Sequence, residues 1–221
     1  MKRMTLQTAL VALIPALFCG CEVNPQAPQK TDDGLTRVIS KQVDEVYVVR
    51  GRTLAPYHRV ILDTVEIAFK PDWQQRHPEV SADQVVRIRS QGAQVFYDIF
   101  RSALSKNGGY GLTNQPAPDV LRVSATIADL DVAASPADKT GNQRMYVVSP
   151  SDLTLHMELR DSQSGAIIAR AIDREKGRTF GNLQVADAVS NSTEARRALE
   201  MWAGLLRDAL DAARSAPAPS N

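Results

Sequence analysis

The residues able to do chemistry are few and mostly scattered. Two cysteines, Cys19 and Cys21, stand close together near the amino terminus, and none follows in the remaining chain. A disulfide framework, a zinc knuckle and a cysteine nucleophile are therefore excluded beyond that point. Three histidines, His58, His77 and His156, are far apart and lack the His-x-x-x-His spacing that puts two imidazoles on one helical face for a metal. Asp129 and Asp131 lie two apart, as a carboxylate pair on one strand face would, but charges at a fraying strand end explain them equally well. No serine sits in a Gly-x-Ser-x-Gly turn. The glycine cluster Asn107 to Gly111 lacks the Lys-Ser/Thr ending of a phosphate loop and suits a helix cap instead. Arg170, Arg174, Lys176 and Arg178 make a basic stretch balanced by Asp173 and Glu175, which reads as a solvated face or a contact for anionic lipid or glycan. No metal or cofactor site emerges.

The most informative sulfur is Cys21. Residues 1 to 21, MKRMTLQTALVALIPALFCGC, give basic Lys2 and Arg3, an apolar run from Met4 to Phe18, then Gly20 and Cys21. This is the layout of a secretory signal peptide. The run is too short for the roughly 20 residues that cross a bilayer, and Pro15 interrupts it. The end of the leader resembles a lipobox, in which a small residue precedes a cysteine that is diacylated before cleavage. The resemblance implies cleavage between Gly20 and Cys21 and a fatty-acylated Cys21, although Phe18 stands where the pattern prefers Leu. Cys19 fits less well because Phe18 precedes it. An ordinary signal peptide and an uncleaved anchor are the alternatives. Several acyl chains hold a protein to a membrane far better than one. Glu22 follows Cys21, where Asp commonly signals inner-membrane retention in Gram-negative lipoproteins, so the expectation is a periplasm-facing protein on the outer rather than the inner membrane.

The chain has 221 residues, 43% hydrophobic and 23% charged, enough for one sizeable core. Its formal charge of +1 includes Lys2 and Arg3, which leaves the rest near neutral and gives no footprint for nucleic acid. Polar, Pro- and Gly-containing residues 21 to 36 read as a flexible tether, residues 37 to 214 as a single domain, and residues 215 to 221 as a disordered tail.

Within the domain, Glu45 to Gly51 and Val60 to Phe69 read as strands, the second alternating Val65, Ile67 and Phe69 with Thr64, Glu66 and Ala68. Ser81 and Gln84 form a capping box that opens a helix to about Lys106. Its expected apolar stripe is Val85, Ile88, Val95, Phe96, Ile99, Phe100 and Leu104. Strands follow from Val120 and from Leu153, the latter turning at Asp161 to Gly165 into a hairpin partner at Ala166 to Glu175. A last helix near Ser192 carries Ala195, Leu199, Trp202, Leu206 and Leu210. The expected fold is α+β, a two-layer sandwich in the order β-α-β-β-β-α, with two helices on one face of a mostly antiparallel sheet. A crossover would make the strands flanking the long helix parallel.

The segment Tyr57 to Trp73, YHRVILDTVEIAFKPDW, resembles the signature of a Gram-negative envelope lipoprotein family known only as a domain of unknown function. Tyr57, Phe69, Pro71 and Trp73 carry the match. The resemblance implies an envelope location and a one-domain architecture, and it brings no catalytic residues. Taken structurally, Pro71 ends the strand while Phe69 and Trp73 cover its apolar edge. The functional expectation is a lipid-anchored, non-enzymatic binding or assembly component whose partner is an envelope protein or glycan. A lipidated hydrolase or glycan-modifying enzyme and a small-ligand carrier are the alternatives.

Overall fold

The structure is a computed structural model that describes residues 30–134, 146–148, 153–175 and 188–216. The leader, including Gly20 and Cys21, and the last tail residues lie outside them. The fold is mixed α/β, built on a largely antiparallel open sheet of eight strands with three helices. In chain order the strands are β1 (Thr36–Val38), β2 (Glu45–Val48), β3 (Arg59–Leu62), β4 (Glu66–Phe69), β5 (Gly111–Leu112), β6 (Val120–Leu130), β7 (Val132–Ala134), β8 (Tyr146–Val148), β9 (Leu153–Asp161) and β10 (Ile167–Glu175). The helices are α1 (Trp73–Arg76), α2 (Ala82–Ser105) and α3 (Ala188–Ser215).

The main sheet runs β1-β2-β10-β9-β6-β3-β5, with β4 also on β6, while β7 and β8 pair separately. Every neighbour from β1 to β6 is antiparallel, whereas β3 and β4 lie parallel to β6. The chain passes through α2 between those parallel strands, so the expected crossover is present. The strand expected over Val60 to Phe69 is broken in two by Asp63 to Val65, and its halves pair with successive stretches of β6.

Amphipathic period dictates the core. Leu121, Val123, Ala125 and Ile127 of β6 and Leu153, Leu155, Met157 and Leu159 of β9 are buried on one sheet face. They join Phe96, Ile99, Phe100 and Leu104 of α2 and Leu199, Trp202, Leu206 and Leu210 of α3 in one apolar cluster. α2 opens with the expected capping box: Gln84 N–H donates to Ser81 Oγ at 3.3 Å and Ser81 N–H to Gln84 Oε1 at 2.7 Å. It closes at Asn107 and Gly108, with φ of 55° and 69°, the left-handed geometry that ends a helix.

Four expectations need correction. Val95 is 39% exposed and lies outside the buried stripe. α3 begins at Ala188, before Ser192. Leu35 is fully buried and Thr36 enters β1, so the residues from Lys30 to Thr36 belong to the domain rather than to a tether. Finally, short strands β1, β5, β7 and β8 add to the expected order; with so few residues they carry no readable alternation.

Candidate functional site

Strand alternation puts Arg122, Ser124 and Thr126 of β6 and His156, Glu158 and Arg160 of β9 on the sheet face opposite the apolar cluster. Arg170 of β10 lies beside Glu158, and Tyr47 of β2 beside Arg170, which extends a polar row across four strands. Arg170 donates from Nε to Glu158 Oε1 at 2.9 Å and from Nη2 to Asp33 Oδ2 at 2.6 Å. Arg160 donates from Nε to Glu158 Oε2 at 3.1 Å and from Nη1 to the Gly165 carbonyl at 2.9 Å. Ser124 donates to Asp63 at 2.7 Å. Arg122 lies opposite Arg160 and approaches Asp63 at 3.4 Å, but its buried Nε makes no hydrogen bond.

The electrostatics of this face are those of fixed charge. Burial works to raise the Glu158 carboxyl, but hydrogen bonds from Arg170 and Arg160 outweigh it and hold the group below its ordinary value. Asp33 is likewise held down by Thr31 and Arg170. Such carboxylates stay ionised at neutral pH and hold no proton for general-acid work. What the face offers a ligand is a fixed pattern of donors and acceptors.

Tyrosine–aspartate pairs brace the fold elsewhere. Tyr57 donates to Asp161 at 3.1 Å and Tyr110 to Asp211 at 2.8 Å. Burial, reinforced by the aspartate, pushes each phenol up to about 12. Asp161 is held low chiefly by Ser164, and Asp211 by Tyr110 and Arg207. Arg207 Nη1 also caps the end of α2, donating to the carbonyls of Ala103, Leu104 and Lys106 at 2.8, 3.1 and 2.9 Å. Trp202 donates its indole N–H to buried Asp173 at 2.7 Å, tying α3 to β10.

The singled-out residues scatter. Asp129 and Asp131 do not form a pair: Asp129 has φ 60° at a bulge in β6, which breaks the alternation that would have aligned them. Asp129 accepts from Thr154 at 2.8 Å, while Asp131 lies 3.7 Å from Lys70, 3.5 Å from Arg76 and 3.8 Å from His77. His58, just before β3, and His156, on β9, are both exposed. Among the described residues no group of three or more His, Cys, Asp or Glu is placed to hold a metal. The Phe69 and Trp73 rings stack at 4.2 Å and Trp73 is buried, so Phe69-x-Pro71-x-Trp73 forms a packed corner. Arg174 pairs with Glu45 at 3.6 Å, whereas Lys176 and Arg178 lie outside the described residues. The pairings of Asp33 and Glu158 with Arg170 and of Asp173 with Trp202 are not legible in the sequence, because the partners are 137, 12 and 29 residues away and no local motif marks them. No helix among the described residues is long and apolar enough to cross a membrane.

Comparison with known proteins gives a family and loose structural likenesses. No curated relative matches the chain. A PelC dodecamer from Paraburkholderia phytofirmans is 16% identical, covering 73% of this chain and 96% of that one, with a TM-score of 0.36. A neuraminyllactose-binding hemagglutinin homologue from Helicobacter pylori is 12% identical, covering 70% and 83%, with a TM-score of 0.39. The profile of the family described as "Protein of unknown function (DUF3313)" matches residues 30–206, most of the sequence, and the chain belongs to that family.

Proposed function

We propose that this chain is a lipid-anchored envelope protein, acylated on Cys21 and facing the periplasm, whose domain is a non-enzymatic binding or assembly component. Both long helices cover one face of the sheet, and the partner, an envelope protein or a glycan, docks on the polar face opposite. The observation that carries the choice of binding over catalysis is the pairing of Glu158 with Arg160 and Arg170 and of Asp33 with Arg170. Charges locked against each other in this way suit recognition of a complementary surface better than proton transfer. The envelope address rests on the leader and Gly20-Cys21, and Glu22 favours the outer membrane.

The test is site-specific photo-crosslinking in cells, with the crosslinker at Thr126 or His156 on the polar face and at Arg87 on α2 as the comparison. The proposal expects membrane-associated protein and adducts of one recurring partner from Thr126 and His156 alone. Protein recovered in the soluble fraction, or adducts as frequent from Arg87, would overturn it.

A further inference from the structure

Among the described residues the main sheet ends at β1, and Lys30 bridges to Thr36 beside it. This edge is basic and carries an exposed apolar tip. Ile39 is 87% exposed and Val38 37% exposed, the first among the most exposed large hydrophobic residues of the domain. Around them Lys30, Arg37, Lys41, Arg50 and Arg52 are all exposed. Lys30 and Arg50 line one groove with Gly34, Thr36 and Val49 at one end of β1, Arg37 lies in its middle, and Ile39 and Lys41 follow its other end. Of the acids nearby, Asp33 pairs with Arg170 and Glu45 with Arg174, while Asp32 and Asp44 keep their charge against the five exposed cations. The edge thus carries cations along its length and an aliphatic tip at one end, features that suit a surface lying on anionic headgroups.

We infer that this β1 edge docks the domain onto an anionic lipid bilayer surface, Ile39 entering the headgroup boundary and Lys30, Arg37, Lys41 and Arg50 contacting lipid phosphates. The inference rests on the acylated Cys21 of the previous subsection. Eight residues separate Cys21 from Lys30, and the nine peptide units between them span at most about 32 Å. A domain of this size is about 40 Å across, so the β1 edge is held near the bilayer while the opposite side is not. Tethering also makes a weak contact effective, because docking becomes intramolecular. An exposed isoleucine and four cations would bind free vesicles poorly but suffice for a domain already anchored.

The test uses the acylated full chain carrying Ile39→Trp, reconstituted into vesicles with brominated acyl chains, either purely phosphatidylcholine or containing phosphatidylglycerol. Trp73 and Trp202 are each only 2% exposed and supply an unquenched background. Indole emission from position 39 is expected to be quenched in phosphatidylglycerol vesicles and restored by salt. Adding Lys30→Gln, Lys41→Gln and Arg50→Gln should lower the docked-to-undocked ratio about fivefold per cation, roughly a hundredfold together. Arg87→Gln, Arg101→Gln and Arg197→Gln, exposed on the helices, should leave it unchanged. Absence of quenching in both vesicle types, or equal loss from the two triple variants, overturns the inference. Intact mass of the same sample separates this failure from the other: a bare Cys21 removes the anchoring proposal, and coupling that thiol to a maleimide lipid in the same vesicles then reads the patch on a tethered domain, where absence of quenching overturns the docking inference.

Discussion

Removing the Asp173 carboxylate perturbs a buried hydrogen bond that ties α3 to β10. Asp173 is 8% exposed and accepts from the Trp202 indole at 2.7 Å and from the Asp44 backbone N–H at 3.0 Å. Hydrogen bonds to a charged group contribute about 1.5–3 kcal/mol each, and a buried donor left without an acceptor loses its desolvation energy as well. The Asp44 N–H sits at the exposed β1–β2 turn and can turn to water, whereas Trp202, 2% exposed, cannot. Asp173→Ala should therefore destabilise the domain by about 2–4 kcal/mol. Trp202→Phe should cost a similar amount, because it strips the carboxylate of its buried donor and leaves a small void. Urea unfolding of the two single variants and the double variant measures their coupling, expected at about 1.5–3 kcal/mol with an unchanged m-value. Additivity to within about 0.5 kcal/mol would show that the bond does not join the two elements, and the reasoning would be wrong.

Other consequences follow from local geometry. Ser81→Ala breaks the capping box of α2 and should lower stability by about 1 kcal/mol in the same urea assay. Gly204 lies inside α3 with nothing within 4 Å of an added Cβ, so Gly204→Ala should stabilise by about 0.5–1 kcal/mol. At Gly92 an added Cβ would meet Ile67 Cδ1 at 2.6 Å in the core, so Gly92→Ala should destabilise despite its better helix propensity, which thermal unfolding can compare directly. Stability should fall at both ends of the pH scale. Carboxylates held low, such as Asp161 and Asp211, stabilise above their ordinary values and lose that contribution as pH drops through the folded-state values below about 4. Tyr57 and Tyr110, raised to about 12, stabilise fully below about pH 10 and lose it as pH climbs towards 12. The combined Tyr57→Phe and Tyr110→Phe variant should flatten the alkaline limb of urea midpoint against pH.

Features governed by neighbours in sequence were legible, and features governed by distant contacts were not. The capping box at Ser81 and Gln84, the alternation of β6, the hairpin turning at Gly165 and the stripe of Leu199, Trp202, Leu206 and Leu210 each arise within a few residues. Each is present in the structure. The division of Val60 to Phe69 into β3 and β4 depends on two stretches of β6 and is invisible locally. The left-handed Asp129 at its bulge has the same origin, and it separated two carboxylates that spacing alone placed together. The polar row of the sheet was half legible. His156, Glu158 and Arg160 could be assigned to a polar face by alternation, but the partnership of Glu158 with Arg170, and of Arg170 with Asp33, depends on strand order and on the turn before β1.

The proposed membrane anchorage turns on the sulfur of Cys21. Intact-mass measurement of the protein extracted from bacterial membranes is predicted to give a chain beginning at Cys21 with the added mass of a diacylglyceryl group, and of a further fatty acyl chain where the amino terminus is also acylated. A mass matching an unmodified Cys21, or a chain beginning at any other residue, would contradict it.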